Sequence, residues 1–230
     1  VERHLAIAGN IGVGKSTLTR MLSRRLGWEA VYEAVDENPY LADFYQDMRR
    51  WSFHSQIFFL SRRLAHYREI LDRAGYVIQD RSVYEDAEIF ARNLYLQGQM
   101  HDRDYDCYDA LYQAIVTILP APDLVIYLRA SVPTLMKRIA LRGRDFEQGI
   151  SPSYIERLNQ LYESWIAGFN LCPILTVPGD EIDFVQRPAD LDLIVNQVQA
   201  KLRGDQLALF PEGTSWTRAQ PRREDREASP

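Results

Sequence analysis

The run Gly9-Asn-Ile-Gly-Val-Gly14-Lys15-Ser16 has the residue types and spacing to hold a chain of phosphates. It fits GxxxxGK[ST], in which glycines let successive main-chain N–H groups converge on one anion. The helix that follows adds the positive end of its dipole. Gly9, Asn10, Ile11, Gly12, Val13 and Gly14 form the backbone cradle, and Thr17 completes the phosphate-binding set. Lys15 reaches the β- and γ-phosphates, and the Ser16 hydroxyl is a ligand for Mg²⁺. A chance glycine-rich turn is the bland alternative, and an apolar run before the loop with a helical pattern after it argues against that.

A second group follows the apolar run Tyr76–Gln79. Asp80 suits Mg²⁺ or its water shell, and Arg81 suits a phosphoryl group in transfer. Strand ends carry the site in open α/β sheets, so this pair is read as functional rather than as a surface ion pair. A third group is Arg138, Arg142 and Arg144. Arg138 and Arg142 stand one helical turn apart, and Arg142-Gly-Arg144 opens a charged loop. They read as a lid that brings cations over the phosphates and keeps water out. No NKxD base-reading motif and no aspartate-rich strand accompany the loop, so a kinase fits better than a GTPase or a motor.

The positioning elements alternate. Strands are expected at 3–8, 29–32, 76–79, 123–128 and 173–177. Helices are expected at about 15–26, 50–74, from Ser82, 103–118, 132–142, 152–169 and 188–203. Ser82-Val-Tyr-Glu85 has the spacing of a capping box, which spends Glu85 on the helix start. This order implies an α/β fold, a P-loop kinase with a five-stranded parallel sheet flanked by helices and an arginine-rich lid. Residues 1–203 read as that domain and 204–230 as a flexible tail, largely disordered from 211.

The net charge of −5 argues against a general nucleic-acid binder. Cys107 and Cys172 are far apart and form no CxxC pair, so they read as unpaired thiols in a reducing compartment. No signal peptide and no apolar span of about 20 residues is seen, so a cytoplasmic protein is expected.

Six segments in order resemble the deoxynucleoside kinases, and the bacterial deoxyadenosine/deoxyguanosine kinases in particular. They are GNIGVGKST at 9–17, YEAV at 32–35, WSFHSQ at 51–56, DRSVYED at 80–86, IFARNL at 89–94 and RGRDFEQGI at 142–150. The likeness covers about 3–203. It implies transfer of the γ-phosphoryl of ATP, with Mg²⁺, to a deoxynucleoside 5′-hydroxyl. Glu33 falls at the general-base position, although this chain has Glu-Ala-Val where the family pattern is usually Glu-Pro-Val. Gln56 falls at the base-reading glutamine. Tyr45 and Glu147 fall at positions that hold the sugar 3′-hydroxyl. Asp183 and Phe184 fall in the donor-base loop.

Helical geometry refines the base pocket. Arg63 lies two turns beyond Gln56 on nearly the same face, while Arg62 points about 100° away. Arg63 is therefore expected in the pocket, paired with Asp86, with Phe90 stacked on the base. Such a pair offers donors to purine N7 or O6 and an acceptor to an amine. The expected order is purine deoxynucleosides first, deoxycytidine second and thymidine poor. Phe58 and Phe59 are bulky neighbours whose effect the sequence does not resolve.

The rival enzymatic reading is a nucleoside-monophosphate kinase, which shares the loop, an Asp-Arg pair and an arginine lid. A non-catalytic nucleotide-binding scaffold is the other rival. The resemblance implies a homodimer built on the helices near 50–74 and 82–94. Gln206-Leu-Ala-Leu-Phe210 resembles the peptide that docks bacterial replication proteins on the sliding clamp. Packing of its apolar residues against the kinase body is the preferred reading.

Overall fold

The computed structural model describes residues 1–32, 37–147 and 149–204, with the side chain of Phe146 left aside. Five parallel strands form one sheet in the order β2-β3-β1-β4-β5. They are β1 (Arg3–Gly9), β2 (Glu29–Val31), β3 (Tyr76–Asp80), β4 (Leu124–Arg129) and β5 (Ile174–Pro178). β1 lies at the centre, with Leu5, Ala6, Ile7 and Ala8 buried, as expected of a strand covered on both faces. It pairs with β3 from Arg3↔Tyr76 to Ile7↔Asp80 and with β4 from Leu5↔Leu124 to Gly9↔Leu128.

Helix α1 (Lys15–Leu26) follows the glycine-rich loop. A short helix α2 (Leu41–Gln46) then precedes the long α3 (Met48–Asp72). The sequence pattern missed α2, because six residues are too few to show a helical period. Its buried Leu41 and Phe44 pack in a second core cluster with Leu60, Val83, Tyr108 and Tyr112. α3 begins two residues before the expected start, where the Asp47 carboxylate accepts the Arg50 N–H at 3.1 Å. Its buried stripe runs Ser52, Ser55, Gln56, Leu60, Arg63, Tyr67 and Ile70. Ser52, Ser55, Gln56 and Arg63 put polar groups on this core-facing stripe, which is what a site built into a helix face requires.

The helix from Ser82 does start at the capping box, as α4 (Val83–Glu85). It then widens into a π-helical turn over Asp86–Ala91 before resuming as α5 (Arg92–Leu96). Nothing in the residue pattern signalled this change of pitch. α6 (Asp102–Val116) follows β3's helix, α7 (Val132–Arg142) and α8 (Pro152–Gly168) follow β4, and α9 (Pro188–Arg203) follows β5. Among the described residues no helix is long and apolar enough to cross a membrane.

His4 on β1 is buried and sits 2.9 Å from Gln79 Oε1, with its ring edge-on to Tyr67. Burial lowers its pKa from 6.5 to about 4, against smaller opposing effects of Gln79 and Asp123. The unfolded chain therefore binds this proton more readily, so stability falls as pH drops from about 6.5 towards 4. Between pH 7.5 and 5 this group alone should remove about 2 kcal/mol. Urea unfolding at the two pH values, with His4→Leu as the reference, should show that slope in the wild type and not in the variant.

Candidate active site

The glycine-rich loop spans the gap between β1 and α1. Gly9, Gly12 and Gly14 have φ of 143°, 80° and 105°. A Cβ on Gly9 would stand 2.6 Å from the Leu128 carbonyl oxygen, and one on Gly12 would stand 2.7 Å from Ile139 Cγ1. The loop is thus pressed between β4 and α7, and only glycine fits. Lys15 is buried, and its Nζ donates to the carbonyls of Gly9 at 2.8 Å and Asn10 at 3.2 Å. The Asn10 side chain does not face the phosphate position. Its Nδ2 donates to the Ile155 carbonyl at 2.9 Å and to Asn159 Oδ1 at 2.7 Å, which ties the loop to α8. Asn10 therefore serves the cradle through its backbone.

At the end of β3, Asp80 is buried, and the Ser16 hydroxyl donates to Asp80 Oδ2 at 2.5 Å. Two hard oxygens on adjacent elements would suit Mg²⁺. Among the described residues there is no group of three or more His, Cys, Asp or Glu side chains that could hold a metal. Arg81 has φ of 68°, a left-handed conformation costly for a residue with a Cβ. It turns the chain away from β1, and the guanidinium carbon lies 4.2 Å from the centroid of Phe90.

A cleft of about 1110 Å³ runs from the loop, lined by Gly12 to Thr17, to the inner face of α3. Gln56, Phe59, Arg81, Asp86 and Phe90 line its inner part. Gln56 is buried as a residue and lines the cleft. Arg63, expected in the pocket as a base donor, does not line the cleft. It stands behind Asp86, which it grips from Nε at 2.9 Å and Nη2 at 3.3 Å, while Nη1 donates to the carbonyls of Asp80 and Arg81. The expected pairing with Asp86 is present, and the same guanidinium braces the end of β3. Arg62 points outward to Glu37, as the helical spacing requires. Phe59 is the cleft-lining member of the Phe58–Phe59 pair.

Arg138, Arg142 and Arg144 of the expected lid all line the cleft, and each also holds protein groups. Arg138 donates to the Val13 carbonyl at 2.9 Å and to the Gly179 carbonyl at 2.8 Å, clamping the glycine-rich loop to the loop after β5. Arg142 forms a bidentate pair with the buried Glu147 at 2.6 to 3.0 Å, and Arg144 approaches the same carboxylate at 3.6 Å. Tyr45 and Glu147 both line the cleft. Burial, with Tyr154 and Glu147 nearby, pushes the Tyr45 phenol well above its usual range, so it is a neutral donor at all physiological pH values.

Phe184 is buried and would touch a Cβ on Gly14 at 3.5 Å, so it packs under the loop. Asp183 Oδ1 accepts the N–H groups of Val185 and Gln186, which shapes the turn it belongs to. Glu33 lies outside the described residues, as does Gln206–Phe210. One residue central to the geometry was read from the sequence only as a helix cap. Glu85 contacts Gly9 and Tyr162 as well as Ser82. Its capping-box spacing was the signal for one oxygen, and nothing signalled the other.

A family model described as deoxynucleoside kinase matches residues 5–203. The deoxyadenosine/deoxycytidine kinase of Bacillus subtilis is 42% identical over 204 residues, covering 88% of this chain and 94% of that one. The deoxyguanosine kinase of the same organism is 36% identical over 200 residues, covering 85% and 95%. Among solved structures, deoxyadenosine kinase from M. mycoides with bound dATP superposes with a TM-score of 0.76 at 33% identity, covering 86% and 100%.

The clamp geometry of Arg138 has a measurable consequence. Arg138→Met should lower the unfolding free energy of the nucleotide-free protein by about 1–3 kcal/mol, the worth of lost charge-assisted hydrogen bonds. A side chain that served only phosphate would leave nucleotide-free stability unchanged in the same urea titration.

Proposed function

The chain belongs to the deoxynucleoside kinase family, and from that premise we propose that it phosphorylates deoxyadenosine and deoxycytidine ahead of deoxyguanosine and thymidine. Membership sets aside the monophosphate-kinase and scaffold readings. The observation that carries the base order is the inner cleft, where the Gln56 amide and the Asp86 carboxylate face the space while Arg63 stands behind. Adenine N1/N6 and cytosine N3/N4 each present a ring acceptor beside an amine donor. The amide matches that edge with one donor and one acceptor, and the carboxylate takes the second amine hydrogen. Guanine O6/N1 and thymine O4/N3 present the reverse order and would set a carbonyl against Asp86. The purine-first order read from the sequence rests instead on the Arg63–Asp86 pair supplying both donors to N7 or O6 and an acceptor to an amine, and the assay below separates the two orders.

For the transfer itself, the glycine-rich loop and Lys15 bind the triphosphate of ATP. Ser16 and Asp80 would hold Mg²⁺, which neutralises charge on the phosphates when bound. Arg81 is positioned beside them to stabilise charge on the moving group. Glu33 takes the proton of the 5′-hydroxyl, a role supported by its match to the family's general-base position. Tyr45 and Glu147 hold the sugar, and Arg142 and Arg144 close the lid around Glu147. Asp183 and Phe184 shape the wall beside the donor base. The resemblance extends the proposal to a homodimer on α3 and the α4–α5 segment. Clamp docking through Gln206–Phe210 is the alternative to packing of its apolar residues on the kinase body. A pull-down in which the wild type and Phe210→Ala both ignore the clamp would end it.

The test is an assay with ATP and Mg²⁺ on all four deoxynucleosides. Deoxyadenosine and deoxycytidine should show kcat/KM at least about tenfold above the other two, the worth of one mismatched polar contact. Glu33→Gln should lower kcat by about 10²-fold or more with KM little changed. A preference for deoxyguanosine, or an unaffected Glu33→Gln variant, would contradict the reading.

A further inference from the structure

β1 and β3 run side by side up to Ile7↔Asp80, and the last ladder bond is from the Arg81 N–H to the Ile7 carbonyl at 3.0 Å. The next rung of a parallel pair would carry the Gly9 N–H to the Arg81 carbonyl. That rung is missing. The left-handed turn at Arg81 swings β3 away, and its carbonyl accepts from Arg63 instead. Two main-chain N–H groups, of Gly9 and of Ser82, are left facing the gap.

The fully buried carboxyl of Glu85 fills it. Oε1 accepts the Gly9 N–H at 3.1 Å, and Oε2 accepts the Ser82 N–H at 2.9 Å. The Tyr162 hydroxyl from α8 stands 2.8 Å from both Oε1 and the Gly9 carbonyl oxygen. Lys15 donates to that same carbonyl. Both polar groups of Gly9 are therefore held, one by Glu85 and the other by Tyr162 and Lys15. Gly9 begins the phosphate cradle, and Ser82 follows Asp80-Arg81. One side chain thereby sets the distance between the two halves of the phosphate site.

We propose that Glu85 is a positioning residue for phosphoryl transfer, whose two oxygens replace a missing sheet rung and fix the glycine-rich loop against Asp80-Arg81. The inference rests on the reading of that loop as the ATP site. Capping the helix start needs only the Ser82 contact, so the bond to Gly9 is the part with a functional consequence. An amide cannot substitute. Each oxygen accepts a main-chain N–H, so glutamine places its NH₂ against one of two donors whichever way it turns.

Binding of ADP and of deoxyadenosine, measured separately by calorimetry on the whole chain, tests this. In Glu85→Gln, ADP affinity should fall by about tenfold or more, and kcat with it, while deoxyadenosine affinity stays within about twofold. ADP affinity equal to wild type in the folded variant overturns the proposal, as does an equal loss for both ligands. If Glu85→Gln does not fold, Tyr162→Phe decides: about threefold weaker ADP supports the proposal, and unchanged ADP overturns it. Absence of ADP binding by the wild type would overturn the ATP-site reading as well.

Discussion

Two neighbouring strands must part at their ends for this site to exist. β1 releases into the glycine-rich loop, and the left-handed turn at Arg81 takes the chain after β3 away from it. Parting them breaks the ladder, and the main-chain groups set free are buried. Leaving them without partners would cost about 1–3 kcal/mol each. Glu85 and Tyr162 supply the partners on the Gly9 side, and Arg63 takes the carbonyls of Asp80 and Arg81 on the other. The positive φ at Arg81 is held in place by this surrounding network and by its contact with Phe90.

The same requirement explains why charged side chains that look like ligands are spent on backbone. Arg63 braces Asp86 and the β3 end. Arg138 lines the cleft and joins the Val13 and Gly179 carbonyls. In both cases a guanidinium with several fixed donors spans groups that one ammonium could not. The result is a rigid rear wall. Gln56, Arg81 and Asp86 line the inner cleft in front of it, and the proposed base choice rests on Gln56 and Asp86.

Much of this was legible in the sequence for physical reasons. The strand–glycine loop–helix order and the buried runs before Asp80 and in Leu124–Leu128 follow from patterning alone. The two-turn spacing of Gln56 and Arg63 put both on the buried stripe of α3, and the outward path of Arg62 followed from the same 100° step. What was not legible depends on tertiary contact. The pitch change at Asp86–Ala91 has no residue signature, and the six-residue α2 is too short to show a period. Whether an arginine faces a cleft or a carbonyl behind it is decided by where another strand ends. The second oxygen of Glu85 finds Gly9 across 76 residues of sequence, a separation that no local pattern reports.

The most direct test is a crystal structure of the protein with ADP and deoxyadenosine bound together. The account predicts adenine N1 and N6 on the Gln56 amide, with Arg63 still behind Asp86 and the 5′-hydroxyl within hydrogen-bond reach of Glu33. A complex in which Arg63 swings into the cleft to bond the base, or in which the 5′-hydroxyl lies away from Glu33, would contradict it.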